Sequence, residues 1–234
     1  MSDSELQSVL STRLDEVRGR IAAACRRAGR NDTEVTLVAV TKTVSNRVVA
    51  AAHALGLRDF GENRPQELWK KQAAIADARW HLIGHLQRNK IEKTVPLVKL
   101  FHSVDSERLL KATHEFGVKT GQSFPCLLEV NCSREEAKGG FEPAQIPALA
   151  GMLPTLTGVR IEGLMTMAAF HDDPELCRPS FTELRTLRDD LKTRMGLPMP
   201  FLSMGMSNDF EVAIEEGATH IRIGTTLFHG LETE

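Results

Sequence analysis

The pattern of apolar and polar residues predicts a chain that alternates between helices and strands. Near the N-terminus, apolar residues recur at steps of three and four from Leu6 to Ala24, with Arg and Glu between them. This spacing is the period of an amphipathic helix. The helix is expected within residues 1–30 and ends near Gly29, since glycine is common just after a helix.

Eight short apolar runs, rich in β-branched residues, are predicted as strands, and helical patterns lie between them. The predicted strands are Val35–Val40, Arg58–Gly61, Trp80–Gly84, Leu100–Val104, Pro125–Val130, Val159–Met165, Phe201–Met204 and His220–Ile223. The predicted helices are Arg47–Leu55, Pro65–Ala76, Ser106–Phe116, Pro143–Leu153, Pro174–Met195 and Asp209–Glu216, with a weaker one over Gln87–Val98. No hairpin signal joins two strands, so the strands are expected to be parallel.

This alternation predicts an α/β fold, namely a single-domain (β/α)8 barrel of the TIM type with an extra N-terminal helix. The barrel is expected over residues 35–230, and residues 1–234 are interpreted as one domain because no linker, repeat or low-complexity tract divides them. An open doubly wound sheet is the alternative, which the number of strands cannot exclude.

Composition and charge argue against several classes of function. The 234 residues are 41% hydrophobic, and 29 Lys and Arg stand against 31 Asp and Glu. Without a basic excess, neither nucleic acid nor an anionic membrane is expected as a partner. There is no secretory signal at the N-terminus, and the apolar runs are far shorter than the ~20 residues of a spanning helix.

The four cysteines are scattered without metal-binding spacing, which is typical of free thiols in a reducing compartment. A cytoplasmic protein is therefore expected. His81 and His85 are four residues apart, but no third ligand follows at a suitable spacing. They are interpreted as core or loop histidines, and no metal site is predicted.

A barrel of this type places its chemistry at the carboxyl ends of the strands. Loops after the seventh and eighth strands often hold phosphate there. Ser207 is expected to cap the helix that follows it, Gly224 allows close approach of backbone, and Thr225 offers an amide and a hydroxyl. The alternative is that Ser207 is an ordinary helix cap and Gly224 an ordinary turn glycine.

Lys42 directly follows the apolar first strand. If the barrel mouth is covered, this lysine is expected to be partly desolvated, which lowers an amine pKa and favours attack on a carbonyl to form a Schiff base. The alternative is a solvated lysine at a strand end. An amine that shares a cavity with a phosphate site suits a phosphorylated aldehyde, either pyridoxal 5′-phosphate or a sugar phosphate.

Several motifs in order along the chain carry a resemblance to a known family. They are Val38–Lys42, Asp59–Asn63, Trp80–Gln87, His102–Asp105, Lys138–Gly140, Gly163–Met165, Leu202–Ser207 and Arg222–Thr225. Together they resemble the pyridoxal phosphate homeostasis protein family, also called the proline synthase co-transcribed or alanine-racemase-N-domain-like family. The departures include Thr41, where a serine is usual, and Arg64-Pro65, where Tyr-Val is common.

The resemblance implies a single-domain (β/α)8 barrel that carries pyridoxal phosphate on a lysine. Lys42 would form the internal aldimine with the cofactor. The other implied cofactor contacts are Ser207, Gly224 and Thr225 at the phosphate, Arg222 at the pyridine nitrogen and Asn63 near the ring.

Two observations favour binding over turnover. A donor-only arginine pairs with an unprotonated pyridine nitrogen, which disfavours the carbanion chemistry of most pyridoxal enzymes. Racemases of the related fold use a tyrosine as second base, whereas this sequence contains no tyrosine and ends at Glu234 without the racemase β-domain.

The leading hypothesis is thus a non-catalytic, monomeric protein of vitamin B6 homeostasis that stores pyridoxal phosphate, with pyridoxal-phosphate-requiring apoenzymes as candidate recipients. One alternative is a racemase- or lyase-like enzyme that uses Lys42 with a base such as His85 or Asp105. The other is a class I aldolase-type barrel acting on a phosphorylated sugar.

Overall fold

Eight parallel strands close into a barrel in chain order, with the last strand paired to the first. The computed structural model describes residues 1–196 and 198–231. The strands are β1 (Thr36–Val40), β2 (Asp59–Glu62), β3 (Arg79–Leu82), β4 (Leu100–Val104), β5 (Phe124–Glu129), β6 (Val159–Met165), β7 (Phe201–Ser203) and β8 (His220–Ile223). The predicted barrel is confirmed, and closure excludes the open sheet.

Helices surround the barrel. They are α1 (Asp3–Arg27), α2 (Asn46–Ala54), α3 (Pro65–Ala74), α4 (Ile91–Thr94), α5 (Glu107–Thr120), α6 (Ile146–Leu149), α7 (Arg178–Met195), α8 (Phe210–Glu215) and α9 (Thr225–Phe228). Within the described residues, no helix combines the length and the apolar character that crossing a membrane requires.

Two predicted helices are wrong as continuous elements. The segment Pro143–Leu153 contains a 3-10 turn over Pro143–Gln145 and only one α-helical turn, α6. The segment Gln87–Val98 similarly divides into two 3-10 turns flanking α4. Prolines lie at the first or second positions of three of these short pieces, Pro143–Gln145, Ile146–Leu149 and Val95–Leu97. A proline inside a helix removes a backbone donor and clashes with the preceding turn.

The extra N-terminal helix is confirmed as α1, which packs against the outside of the barrel. A capping box joins Ser2 and Glu5 at its start, which satisfies two N–H groups that have no partner inside the helix. Its apolar stripe is buried against α2, α8 and α9. Arg20 Nε also donates to Glu211 Oε1 on α8 at 2.8 Å. The stripe consists of Leu6, Leu10, Leu14, Val17, Ile21 and Ala24.

Side chains alternate along each strand between the outer layer under the helices and the barrel interior. The outward residues, such as Phe101 and Ile221, join the main core. A separate apolar cluster of Leu100, Leu127 and Met165 lies apart from it. Several other inward positions are buried and polar. They are Asp59, His81, His102, Glu129, Ser203, His220 and Arg222.

Candidate functional site

The seam between β1 and β8 brings two predicted site segments together. Val38 pairs with Arg222 and Ala39 with Ile223 in this parallel ladder. A Cβ atom built on Gly224 would lie 3.4 Å from the Cβ and carbonyl oxygen of Val40. The residues that follow each strand, Lys42 on one side and Thr225 on the other, therefore emerge at the same end of neighbouring strands.

Lys42 is exposed in the turn after β1, while Thr41 before it is fully buried. The expected desolvation of Lys42 is therefore wrong. Strand β1 ends at Val40, so Lys42 lies beyond the strand and outside the barrel. The lysine is accessible to solvent in this structure.

A buried ion pair fixes the residue next to Lys42. Lys71 Nζ on α3 donates to the carbonyl oxygen of Thr41 at 2.7 Å and to Glu62 Oε1 at 3.0 Å. The Thr41 hydroxyl donates to the same carboxylate oxygen at 2.6 Å. Lys71 and Glu62 are both almost fully buried. Burial raises the pKa of Glu62, opposed by the Thr41 hydrogen bond and the Lys71 charge.

Ser207 does not cap the next helix, contrary to the sequence prediction. An N-cap side chain accepts from the amides two or three residues ahead, but here the amides of Asp209 and Phe210 both donate to the Met206 carbonyl oxygen. Helix α8 begins only at Phe210. The Ser207 Oγ instead accepts from the amide of Thr226 at 3.4 Å. Ser207 thus bridges the loops after β7 and β8, where a phosphate site was predicted.

Asn63 lies directly after β2 at the same end of the barrel and is half-buried. Its backbone passes so close to Gly84 that a Cβ on Gly84 would lie 2.3 Å from the Asn63 carbonyl oxygen. No larger residue fits at position 84 unless the backbone moves. This close approach fixes Asn63 at the rim between β2 and β3.

Arg222 lies inside the barrel, below the rim, with 4% of its surface exposed. Its Nη1 donates to Ser203 Oγ at 2.6 Å and its Nη2 to the carbonyl oxygen of Thr166 at 2.8 Å. Burial lowers the pKa of Arg222 to about 10, while Asp209 and Glu129 act in the opposite direction. The guanidinium is therefore still a cation at neutral pH.

Acidic and basic groups also meet on the side of the mouth formed by β3, β4 and β5. His85 Nδ1 and Asp105 Oδ2 are 2.6 Å apart, with His85 largely exposed. Burial and the negative charge of Asp105 raise the pKa of Glu129 to about 7, against the opposing effects of Arg222 and His85. Glu129 thus changes its charge near neutral pH, beside a permanent cation.

Several of these residues were not singled out from the sequence. Glu129 and Ser203 occupy inward strand positions, and their period-two alternation with apolar residues was the available signal. For Glu62 and Lys71 no local signal exists, because nine residues separate them and only the packing of α3 on β2 brings them together. His81 is buried and His85 is exposed, as expected for a core and a loop histidine.

Comparison with known proteins agrees with this architecture. The family described as "Alanine racemase, N-terminal domain" matches residues 12–232. The pyridoxal phosphate homeostasis protein of Aquifex aeolicus is 44% identical over 218 residues, which cover 92% of this chain and 96% of the relative. The human protein of the same name is 35% identical over 206 residues, 82% of this chain and 75% of the relative.

A solved structure is similar to this chain in both fold and sequence. The structure of PipY from Synechococcus elongatus with pyridoxal phosphate bound superposes with a TM-score of 0.81 at 34% identity, and covers 94% of this chain and 99% of that one. The sequence relationship extends over nearly the whole barrel. The chain therefore belongs to the pyridoxal phosphate homeostasis protein family, within the family of alanine racemase N-terminal domains.

Proposed function

We propose that this protein binds pyridoxal 5′-phosphate through a Schiff base on Lys42 and holds it for cofactor homeostasis. The observation that carries the proposal is the seam between β1 and β8. There an accessible lysine and the loop from Gly224 leave neighbouring strands at the same barrel end. Relatives named as pyridoxal phosphate homeostasis proteins, and PipY with the cofactor bound, support this assignment.

The donor set at the mouth fits the chemistry of the cofactor. When bound, pyridoxal phosphate supplies an electrophilic aldehyde that captures amines. The Lys42 amine matches that aldehyde, with loss of water on bond formation. The Ser207 hydroxyl, Gly224 and Thr225 lie in the loops that hold phosphate in such barrels. Arg222 and Asn63 are the groups we assign to the pyridine nitrogen and the ring.

Storage rather than turnover is favoured by the character of Arg222. An arginine can donate but not accept a hydrogen bond, so it leaves the pyridine nitrogen unprotonated and a weak electron sink. Its charge persists at neutral pH, since its lowered pKa is still about 10. The 234 residues contain no tyrosine that could serve as the second base of a racemase. Apoenzymes that require the cofactor are the recipients we propose.

A specific contact favours a second candidate, a racemase- or lyase-like activity. The close pair of His85 and Asp105, 2.6 Å apart at the mouth, resembles an oriented general base. Deuterium exchange at the α-carbon of amino acids, followed by NMR, tests it. Exchange that disappears in both Lys42→Ala and His85→Ala would establish an enzyme. No exchange above that of free pyridoxal phosphate supports the carrier.

The proposed attachment predicts a chromophore that depends on one lysine. Protein loaded with pyridoxal phosphate and reduced with borohydride should carry the label on Lys42, as read by peptide mass spectrometry. Lys42→Ala should abolish the absorbance of the Schiff base, because solvated lysines elsewhere lack the phosphate loop. Lys119→Ala is the matched control, since Lys119 is exposed on α5 and pairs with Glu92.

Lys138→Ala is a stricter control. This loop lysine donates to the Ala168 carbonyl oxygen at 2.9 Å and pairs with Glu135, so its amine is already engaged. Label on Lys138 instead of Lys42, or a spectrum unaffected by Lys42→Ala, would contradict the proposal. A chromophore-free protein that is trapped by a phosphorylated sugar would favour the aldolase alternative.

A further inference from the structure

A continuous chain of hydrogen bonds crosses the barrel interior and ends on Arg222. Asp59 Oδ1 is 3.0 Å from His81 Nε2, and His81 Nδ1 is 2.8 Å from His102 Nε2. His102 Nδ1 is 2.8 Å from Ser203 Oγ, which accepts from Arg222 Nη1 at 2.6 Å. All five side chains are buried, and three are exposed by 1% or less.

With both histidines neutral, the two ends of the chain determine the direction of every bond within it. Arg222 can only donate, so the Ser203 oxygen accepts from it and the Ser203 hydrogen is free to donate to His102 Nδ1. His102 then carries its proton on Nε2 and donates to His81 Nδ1. His81 in turn carries its proton on Nε2 and donates to the carboxylate of Asp59.

The acceptor at the far end is stabilised in its charged form. Burial acts to raise the pKa of Asp59, but the hydrogen bonds from His81 and Arg79 and the positive charge of Arg79 lower it overall. Arg79 Nη2 lies 2.5 Å from the other oxygen of Asp59. The chain thus has a donor-only cation, Arg222, at one end and an acceptor-only anion, Asp59, at the other. Two neutral histidines and the Ser203 hydroxyl make the hydrogen bonds between them.

The same chain leaves Ser203 little freedom. A serine hydroxyl can rotate, and its hydrogen could otherwise compete with the N–H of Arg222. Because His102 Nδ1 takes that hydrogen, the Ser203 lone pairs face the guanidinium. The Thr166 carbonyl oxygen holds the second terminal nitrogen of Arg222, so two acceptors fix the plane of the group.

We propose that Ser203, oriented by His102, His81 and Asp59, is the positioning group for Arg222 and so sets the hydrogen bond that Arg222 offers to the cofactor ring. The inference rests on the proposed binding of pyridoxal phosphate. None of these four residues needs to contact the cofactor. Their effect reaches the cofactor through the orientation of one guanidinium.

The first test needs no cofactor. Long-range proton–nitrogen NMR on the ligand-free protein, with ¹⁵N-labelled histidine, should show His81 and His102 as neutral Nε2–H tautomers at pH 7. In Ser203→Ala, His102 Nδ1 should shift towards the position of a nitrogen without a hydrogen bond. An Nδ1–H tautomer or an imidazolium at either histidine of the wild type would overturn the inference.

The second test measures the cofactor itself. We expect Ser203→Ala to weaken pyridoxal phosphate binding about tenfold, which is about 1.4 kcal/mol. The ¹⁵N resonance of labelled pyridine nitrogen should shift as well. Ser203→Thr keeps the hydroxyl and should restore both values. Thr113→Val is the control, because Thr113 is a buried hydroxyl within α5 that donates only to the Leu109 carbonyl oxygen.

A merely structural role would lower the thermal stability of Ser203→Ala and Thr113→Val without moving the ring-nitrogen resonance. That outcome, or equal binding by Ser203→Ala and wild type, would overturn the positioning role while the proposed function stands. Wild-type protein that forms no chromophore with pyridoxal phosphate would instead overturn the proposed function, and the positioning role with it.

Discussion

The most unusual residues of this protein are the charged ones that lie inside it. Burying a charge costs free energy unless hydrogen bonds and an opposite charge compensate. Arg222 has two hydrogen-bond acceptors and a carboxylate, Glu129, close enough to influence it. Lys71 has Glu62 and a carbonyl oxygen. Both buried cations lie at the proposed site, since Arg222 is beneath the barrel mouth and Lys71 contacts the residue before Lys42.

Glu129 should make the stability of the ligand-free protein depend on pH. Its pKa of about 7 is raised from 4.5, so the folded state keeps a proton that the unfolded state has lost. Stability is then full below about pH 4.5 and falls as the pH rises towards 7. Glu129→Gln should remove this fall, which makes the variant more stable than wild type at pH 8 by on the order of 2 kcal/mol.

Urea unfolding at several pH values measures this difference. Glu115→Gln, a change at an exposed glutamate on α5, is the control and should leave the pH dependence of wild type unchanged. If the stabilities of Glu129→Gln and wild type differ by the same amount at pH 5 and pH 8, the assigned titration of Glu129 is wrong.

Removing one member of the Glu62–Lys71 ion pair should lower the free energy of unfolding. Lys71→Met leaves a buried carboxylate without its cation, and we expect a loss of about 3 kcal/mol in the free energy of unfolding. Adding Glu62→Gln should recover part of that loss, because the second change removes the uncompensated charge. Chemical denaturation of the single and double variants gives the comparison. A double variant less stable than Lys71→Met would contradict this account.

Among the elements, the loop between β7 and α8 depends most on one glycine. Gly205 has a φ of +93°, and a Cβ atom there would lie 2.6 Å from the Cβ of Ala213 and 2.9 Å from the Cα of Phe210. The loop cannot keep its shape with any other residue. Since the same loop carries Ser207, its shape also determines the position of that hydroxyl.

Gly205→Ala should therefore lower both the stability and the affinity for pyridoxal phosphate. We expect a destabilisation of about 2 kcal/mol or more, measured by thermal unfolding, with binding followed by absorbance. Gly19→Ala is the contrasting variant, because Gly19 lies within α1 with nothing within 4 Å of an added Cβ. It should stabilise by about 0.5–1 kcal/mol. Unchanged binding by Gly205→Ala would contradict the role given to the loop.

The elements were predictable from the sequence where apolar periodicity was strong. The eight strands and α1 follow from it, with boundaries that differ by a few residues. Helix α9 is only one turn long, too short for any period to show. Ser207 was assigned to the wrong partner for a related reason. Its spacing fits a cap locally, whereas the amide it meets, that of Thr226, lies in the first turn of α9, after the next strand.

On the scale of the whole molecule, the first helix packs against the barrel of its own chain. The apolar stripe of α1 is buried on the same chain, and Arg20 and Arg27 pair with Glu211 and Glu215 of α8. This stripe is therefore not available to a neighbouring copy. This packing is consistent with the monomer expected from the sequence.

Sedimentation velocity should accordingly give one species near 25.9 kDa, with or without pyridoxal phosphate. Arg27→Glu introduces like charges beside α8 and should lower stability without changing the mass, because these ion pairs are internal to the chain. A species of twice that mass in the wild type, lost when the α1 contacts are altered, would show that the helix serves an interface.

The seam between β1 and β8 has a consequence for synthesis of the protein. Lys42 is synthesised long before Gly224, whose backbone lies beside the end of β1 in the folded barrel. In a nascent chain the Lys42 amine is therefore present long before the backbone near Gly224 can pack beside it. Under the function we propose, stable capture of pyridoxal phosphate has to wait until Gly224 has been made, so products truncated before that residue should not sequester it.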